Sequence, residues 1–278
     1  ANLLRAFPEK SQAERDAIRR TMWDNLGRVV GEYPHLDKFT PKGDDPRITY
    51  NLPPGVTPDS LKGGPLLFLS AHLGNWEMMP ILGHQLGLDV AAVVRPPNNP
   101  YVAQWVARQR RINGPDTLIG KHNAARPMLA QLRGGKMLCM LVDQKLREGI
   151  AVPFFGYDAM TTPAPAAMAL KTGARVWLAS NRRLAGARFH VSAQPLDFTP
   201  GDNEAEDTPR TNAQHVDPSL HRLLQIARQP RDLLDTPVLV EGSQFFIRHG
   251  IGAQRATFVW RPLKNAIPPS TYRTDSPY

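Results

Sequence analysis

The stretch LSAHLGNWEMMP, residues 69–80, places a histidine at the end of an apolar run and a glutamate five positions later. Imidazole and carboxylate together suit proton transfer. The carboxylate holds one ring nitrogen, fixes the tautomer and stabilises the imidazolium, and the other nitrogen takes a proton from a hydroxyl. The spacing alone selects little, because His84 and Asp89 repeat it. Two residues five apart in one helix lie ~140° apart around its axis, at 3.6 residues per turn. His72 and Glu77 can therefore meet only if His72 stands outside the helix. The intervening residues allow this. Gly74 permits a sharp turn, Asn75 is a good N-cap for a helix starting at Trp76, and Glu77 then falls in the first turn, where the helix dipole favours a carboxylate. On residue types alone, a catalytic pair and a solvated strand-end histidine beside a helix-start charge stand level.

The surrounding pattern supplies a scaffold. PLLFLSA (65–71), DVAAVV (89–94) and KMLCMLVD (136–143) are short apolar runs bounded by turn residues, the signature of strands buried on both faces. Helical patterns separate them: 76–87, 100–112 and 124–133, with DTLI (116–119) as a further short strand. Alternating strands and helices predict βαβ units and an α/β fold with a mostly parallel central sheet flanked by helices. An earlier helix is expected over 11–31, with Ser11 and Glu14 as a capping box and Ile18, Met22, Leu26 and Val29 on one face. A Pro/Gly-rich connector follows over 41–64. Beyond Pro163 the pattern gives a helix to Lys171, then adjacent strands over 175–180 and 188–198. His72 stands at a strand end, where α/β folds place ligands.

Charge narrows the partners. The 278 residues carry 34 Lys plus Arg against 25 Asp plus Glu, a net charge of +9, which favours anionic partners. Aromatics are not interleaved with the basic residues as in an RNA-binding sheet, and no zinc-finger or recognition-helix pattern is present, so no nucleic acid is expected. The single cysteine, Cys139, excludes a disulfide framework and a cysteine zinc site. Set in MLCMLV, it reads as a buried hydrophobe. No run of about 18 apolar residues marks a transmembrane helix. The chain opens on Ala1 without an initiator Met and reads as a fragment whose N-terminal membrane anchor is missing.

HLGNWE resembles the H-x4-D/E motif of the lysophospholipid acyltransferase superfamily, in the form used by its lipid A biosynthesis branch, the bacterial lauroyl and myristoyl transferases. NLLRAFPEKS (2–11), MWDNLGRVVGEYPHL (22–36), VVRPPNNPYV (93–102) and the block LVDQKLREGIAVPFFGYDAMTTPAPAAMALKTGA (141–174) resemble further blocks of that family, in order, across about residues 2–200. The resemblance implies a glycerol-3-phosphate acyltransferase-like fold. It implies acyl transfer from acyl-carrier protein to a hydroxyl of a lipid A precursor, with no cofactor. It places the enzyme at a membrane surface, on the cytoplasmic face of the bacterial inner membrane. His72 would be the general base and Glu77 its partner. Arg95 would clamp a phosphate, as guanidinium geometry allows. Asp143 and Gln144 would orient the acceptor sugar or Arg95. Asn75 and Thr162 would belong to the substrate site, Thr162 with Thr161 capping a helix whose N-terminal amides suit an anion. Val152–Gly156 would wall an acyl tunnel, touch the membrane, or pack in the core. Arg108, Arg110 and Arg111 would meet anionic lipid or the acidic carrier, or simply be solvated. His122, His190, His215, His221 and His249 show no pairing.

The likeness fades near residue 210, which divides the chain into an acyltransferase domain, 1–211, and an atypical tail, 212–278. The family closes with a W-I helix and a W-x-H-R-x-W segment. Freely chosen codons for DLLDTPVLVE (232–241), read one base later, give I-Y-W-T-H-R-F-W and a stop. NAQHVDPSLH (212–221), treated the same way, gives T-L-N-M-W-I-Q-A-F. The tail thus reads as frameshifted. The other function classes left open are a phospholipid acyltransferase acting on a lysophosphatidate-type acceptor, a metal-dependent hydrolase using His72, Glu77 and Asp143, and a non-catalytic lipid- or carrier-binding protein.

Overall fold

Ser11 opens the first long element as its sequence predicts. Its hydroxyl accepts from the Glu14 amide at 3.3 Å, and the Glu14 carboxylate accepts from the Ser11 amide at 2.7 Å. This capping box starts helix α2 (Gln12–Glu32), which follows the short α1 (Asn2–Ala6). The computed structural model describes residues 2–196, apart from 113, 116, 121, 122, 147, 148 and 156. The expectations for the tail, for His122 and for the three later histidines lie outside the described residues.

A 3-10 segment (Tyr33–Lys38) continues α2. The expected connector then contains a short strand, β1 (Ile48–Asn51). The alternation predicted from the sequence follows: β2 (Leu66–Ser70), α3 (Met78–Gln85), β3 (Val90–Val94), α4 (Pro100–Ile112), β4 (Thr117–Gly120), α5 (Ala125–Arg133) and β5 (Met137–Leu141). After β5 the structure departs from the sequence reading, with an antiparallel hairpin of β6 (Ile150–Phe154) and β7 (Tyr157–Thr161). Helix α6 (Ala164–Thr172) and the long pair β8 (Arg175–Leu184) and β9 (Arg188–Leu196) complete the described chain.

Seven strands form one sheet in the order β1-β9-β8-β2-β5-β3-β4. Every neighbouring pair is parallel except β8 with β9. The fold is therefore α/β with a mostly parallel sheet. Both faces are covered, which is why β2 is apolar at every position up to Ser70 and buried throughout. Side chains alternate along a strand. Leu67 and Leu69, with Leu138 and Met140 of β5, face α5 and α6. Leu66 and Phe68, with Met137 and Cys139, face Met79 of α3. Burial raises the Cys139 thiol pKa, as expected of a core hydrophobe. On the α3 side, Met78 and Ile81 pack against Val29 of α2 and Leu36 of the 3-10 segment. Each such fully buried side chain contributes roughly 1.5–3 kcal/mol relative to exposure.

Of the apolar patch at 152–156, Val152 and Phe154 lie on β6, and Gly156 is outside the described residues. Phe155 takes φ +50 at the hairpin turn. Its ring lies 5.4 Å from that of Phe7, just beyond α1, while Arg5 sits over Tyr157. Among the described residues no helix is long and apolar enough to cross a membrane.

Candidate active site

β2 and β5 are adjacent and parallel, with Ser70 beside Leu141. Two residues further on, that register brings His72 opposite Asp143. The chains then part. After β2 the backbone turns toward α3 on one face of the sheet, and after β5 it runs to the hairpin and α6 on the other. In open α/β sheets, ligands bind where the chain diverges in this way at the carboxyl ends of the strands.

Asp143 holds His72 twice. One carboxylate oxygen accepts from the His72 backbone N–H at 3.0 Å, and the other lies 2.8 Å from Nδ1. Gln144 reaches the opposite ring nitrogen, with its amide nitrogen 3.2 Å from Nε2. An amide NH2 can only donate, so Nε2 is the accepting nitrogen and the ring proton sits on Nδ1, facing Asp143. The histidine thus offers a lone pair on Nε2 at the sheet edge. Its side chain is 12% exposed and that of Asp143 11%. Burial pushes the Asp143 carboxyl up, but the positive charge that His72 carries when its ring is protonated, together with the hydrogen bonds from its ring and backbone, holds the carboxyl below the usual range. The ring also packs edge-on against Trp76 at 5.0 Å.

Glu77, expected as the ring's partner, lies elsewhere. Its Oε1 accepts from Arg110 Nη2 at 2.7 Å and from the Tyr33 hydroxyl at 2.7 Å, and its Oε2 accepts from Arg110 Nε at 3.0 Å. The Glu77 side chain is 6% exposed. Burial alone raises its carboxyl, yet the Arg110 guanidinium, the Tyr33 hydroxyl and the Trp76 side chain together hold it low. Burial and the Glu77 charge push the Tyr33 phenol up. The His72 imidazole therefore takes its carboxylate from Asp143. The physical reason is that the ion pair with α4 draws the Glu77 carboxylate away from the strand end. Glu77 still acts on the site through Trp76, whose side chain hydrogen-bonds to Glu77 and whose ring contacts His72.

The turn between them is fixed by a buried polar network. Gly74 adopts φ +53, and a Cβ there would fall 2.8 Å from the backbone oxygen of Asn181. Only glycine meets both demands. Helix α3 begins at Met78, two residues later than expected, because Asn75 closes an Asx turn with its Oδ1 accepting from the Glu77 amide at 3.1 Å. The Asn75 side-chain nitrogen donates to Glu32 at 2.9 Å, and Asn181 donates to the Asn75 backbone oxygen. Asn25 donates to the Gly74 carbonyl at 2.9 Å, and Arg183 binds both Asn25 and Glu32. Asn75 has no exposed surface, and its hydrogen bonds shape the turn that carries His72.

The other expected residues divide. Arg95 leaves β3 at the same sheet edge. β3 pairs with β5 from Val90 beside Met137 to Ala92 beside Cys139, and Arg95, just beyond the end of β3, is exposed. Thr162 precedes Pro163, the N-cap of α6, and its hydroxyl accepts from the Ala164 amide at 3.3 Å. His84 ends α3, as expected of a helix-end histidine. His190 lies on β9, 2.8 Å from Thr49 Oγ1. Arg110, grouped by sequence with the surface arginines, is the buried partner of Glu77. Its position gave a signal, because it shares a helix face with the apolar Val106, four residues earlier. Among the described residues no three His, Cys, Asp or Glu side chains gather as a metal site, and the Arg110 pair removes Glu77 from the hydrolase trio.

A histidine held by a carboxylate at the carboxyl ends of parallel strands is an arrangement chemically able to take a proton from a hydroxyl. The chain belongs to the bacterial lipid A biosynthesis acyltransferase family, whose model matches residues 1–217, and is an acyltransferase by that membership. No curated protein matches it. Among solved structures it is similar to the 1-acyl-sn-glycerophosphate (LPA) acyltransferase PlsC from Thermotoga maritima, at 13% identity, covering 82% of this chain and 87% of that chain with a TM-score of 0.35.

Proposed function

We propose that the protein transfers a fatty acyl chain from the thioester of acyl-carrier protein to a hydroxyl of a lipid A precursor, with His72 as general base. The observation that carries this reading is the His72–Asp143 pair, which leaves Nε2 unprotonated at the sheet edge. His72 Nε2 takes the proton of the acceptor hydroxyl as its oxygen attacks the thioester carbonyl. The tetrahedral intermediate then collapses, the carbon–sulfur bond breaks, and the imidazolium returns the proton to the departing thiolate. No covalent acyl-enzyme is required. Asp143 stabilises the imidazolium that forms midway. The Gln144 amide stands where the acceptor hydroxyl must come, so substrate displaces it from Nε2. In this reading Arg95, at the end of β3, binds a phosphate of the acceptor or of the carrier's prosthetic arm. Glu77 and Arg110 are positioning residues.

The family supports this reading, as does the surplus of positive charge, which suits a phosphorylated lipid and an acidic carrier. The activity belongs at the cytoplasmic face of the inner membrane, where such an acceptor resides. The test is transfer from acyl-carrier protein to a tetra-acylated lipid A precursor by the chain and by its His72→Ala variant. A loss on the order of 10²–10⁴-fold is expected from removing a general base. Undiminished transfer in the variant rejects the role. Transfer to lysophosphatidate in place of the lipid A precursor moves the acceptor to the phospholipid class.

A further inference from the structure

The least buried large aromatic among the described residues is Tyr101, 82% exposed, in the first turn of α4. It has company. Trp105 is 39% exposed and Ile112 55%, and Arg108 between them is exposed too. At ~100° per residue, positions 101, 105, 108 and 112 fall within about 60° of one another around the axis, which makes one stripe along the whole helix. The opposite side is used internally. Arg110, about 180° from Tyr101 by the same reckoning, makes the buried pair with Glu77.

The composition of this face is specific. α4, PYVAQWVARQRRI, contains no acid, and Arg108 puts a positive charge within the stripe. Tyrosine and tryptophan place an apolar ring and a polar tip together, which favours the headgroup level of a bilayer over water or hydrocarbon. Arginine lays its aliphatic stem on apolar surface while its head stays solvated. A surface that only needed solubility would not expose Tyr, Trp and Ile in register with Arg. From these features we infer that the outer stripe of α4 is a membrane-docking face that lies in the interface of an anionic bilayer. This rests on the proposed function for its biological setting, since a lipid acceptor must be reached from a bilayer, but its evidence is the stripe and its charge. The helix then has two roles set by its two sides. Tyr101, Trp105, Arg108 and Ile112 meet lipid, and Arg110 fastens the helix to the turn that carries His72. The His72 site is thereby held at a fixed relation to the membrane surface.

The experiment is co-sedimentation of the full chain with vesicles of phosphatidylglycerol in phosphatidylcholine, and with vesicles of phosphatidylcholine alone. Tyr101→Ser, Ile112→Ser and Arg108→Gln are compared with the parent. Trp105 is left intact because its ring also contacts Tyr33. These positions are exposed, so unchanged circular dichroism and thermal midpoints are expected. Binding should require phosphatidylglycerol. It should fall by about fivefold in Arg108→Gln, the effect of one basic charge near an anionic surface, and fall further when Tyr101→Ser and Ile112→Ser are combined. Equal binding by parent and variants overturns the proposal, as does the absence of binding to anionic vesicles. A Tyr101→Cys thiol unreactive to a maleimide in the vesicle-free full chain also overturns it, because another part of the chain or a second copy then covers the stripe. Vesicle binding is read without turnover, so absent acyl transfer leaves the docking face standing, and absent binding leaves the acyl-transfer reading intact.

Discussion

Asp143 and His72 are 71 positions apart in sequence and meet at 2.8 Å. Their meeting follows from the pairing of two parallel strands, because β2 and β5 end in register and each contributes its next polar residue to the same edge. Once the ladder ends, the Asp143 carboxylate goes on pairing with the His72 backbone N–H. One side chain thus fixes both the position of the histidine backbone and the tautomer of its ring. Replacement of Asp143 by Asn should keep the fold but remove the negative charge that stabilises the imidazolium. Turnover should fall on the order of 10²–10⁴-fold with a smaller change in KM. Steady-state acyl-transfer kinetics check this.

The Glu77–Arg110 pair is buried on both sides, at 6% and 13% exposure. Removal of one partner leaves an uncompensated charge, which typically costs about 3–5 kcal/mol. Glu77→Leu is therefore expected to destabilise the fold by that order. Glu77→Leu combined with Arg110→Met should recover a large part of the loss. Urea unfolding of the two single variants and the double variant measures the coupling. Additive losses would contradict the pair.

Gly74 should tolerate no side chain. Alanine there would have to adopt φ +53 and set its Cβ 2.8 Å from the Asn181 oxygen. The left-handed conformation alone costs roughly 1–2 kcal/mol, and the contact adds to it. Gly74→Ala should lower the thermal midpoint by several degrees, about 2–4 °C per kcal/mol for a chain of this size. It should also lower turnover, since it moves the backbone two residues from His72. Differential scanning calorimetry beside the transfer assay tests both effects.

Two of the buried carboxylates bear on the acid limit. Glu77 and Asp143 are both held below their ordinary values of 4.5 and 3.8. A depressed carboxyl contributes stability that is full above its unfolded value and is lost as pH falls through the folded one. Stability should therefore hold down to about pH 5 and decline below it. Asp143→Asn should flatten the lower part of that decline. Denaturant midpoints measured across the acid range show whether it does.

The tail carries a prediction of its own. The family match runs to residue 217, a few residues past 212, from which the sequence reading expects the shifted frame. A gene read one base later from that point should yield a chain with higher acyl transfer than the present one. Codons incompatible with the shifted reading would dismiss the idea.

The sequence made the regular elements legible because their periods differ. The 100–112 pattern matches α4 at both ends, and Ser11 with Glu14 marks the start of α2 by its own hydrogen bonds. The three apolar runs emerged as β2, β3 and β5 because strands buried on both faces have no polar alternation to blur them. β1 was hidden because ITYN is short and mostly exposed. The β6–β7 hairpin was hidden because its turn falls within an apolar stretch. His72 was legible from its strand-end position. Its partner was not, because which strand lies beside β2 depends on the order of the sheet, and local spacing pointed to Glu77. Arg110 was misread for a related reason: a charged residue near the end of a helix reads as surface unless the opposite face is known to be occupied.

The most direct measurement compares Asp143→Asn with Glu77→Gln in acyl transfer from acyl-carrier protein, at matched concentrations of folded protein, on the chain as it stands and with the shifted-frame tail. The His72–Asp143 assignment predicts that Asp143→Asn falls at least about 10²-fold, within the range of a lost acid–base contribution, while Glu77→Gln retains most of its turnover. The reverse order, with Glu77→Gln inactive and Asp143→Asn active, would contradict it and make Glu77 the partner of the catalytic histidine.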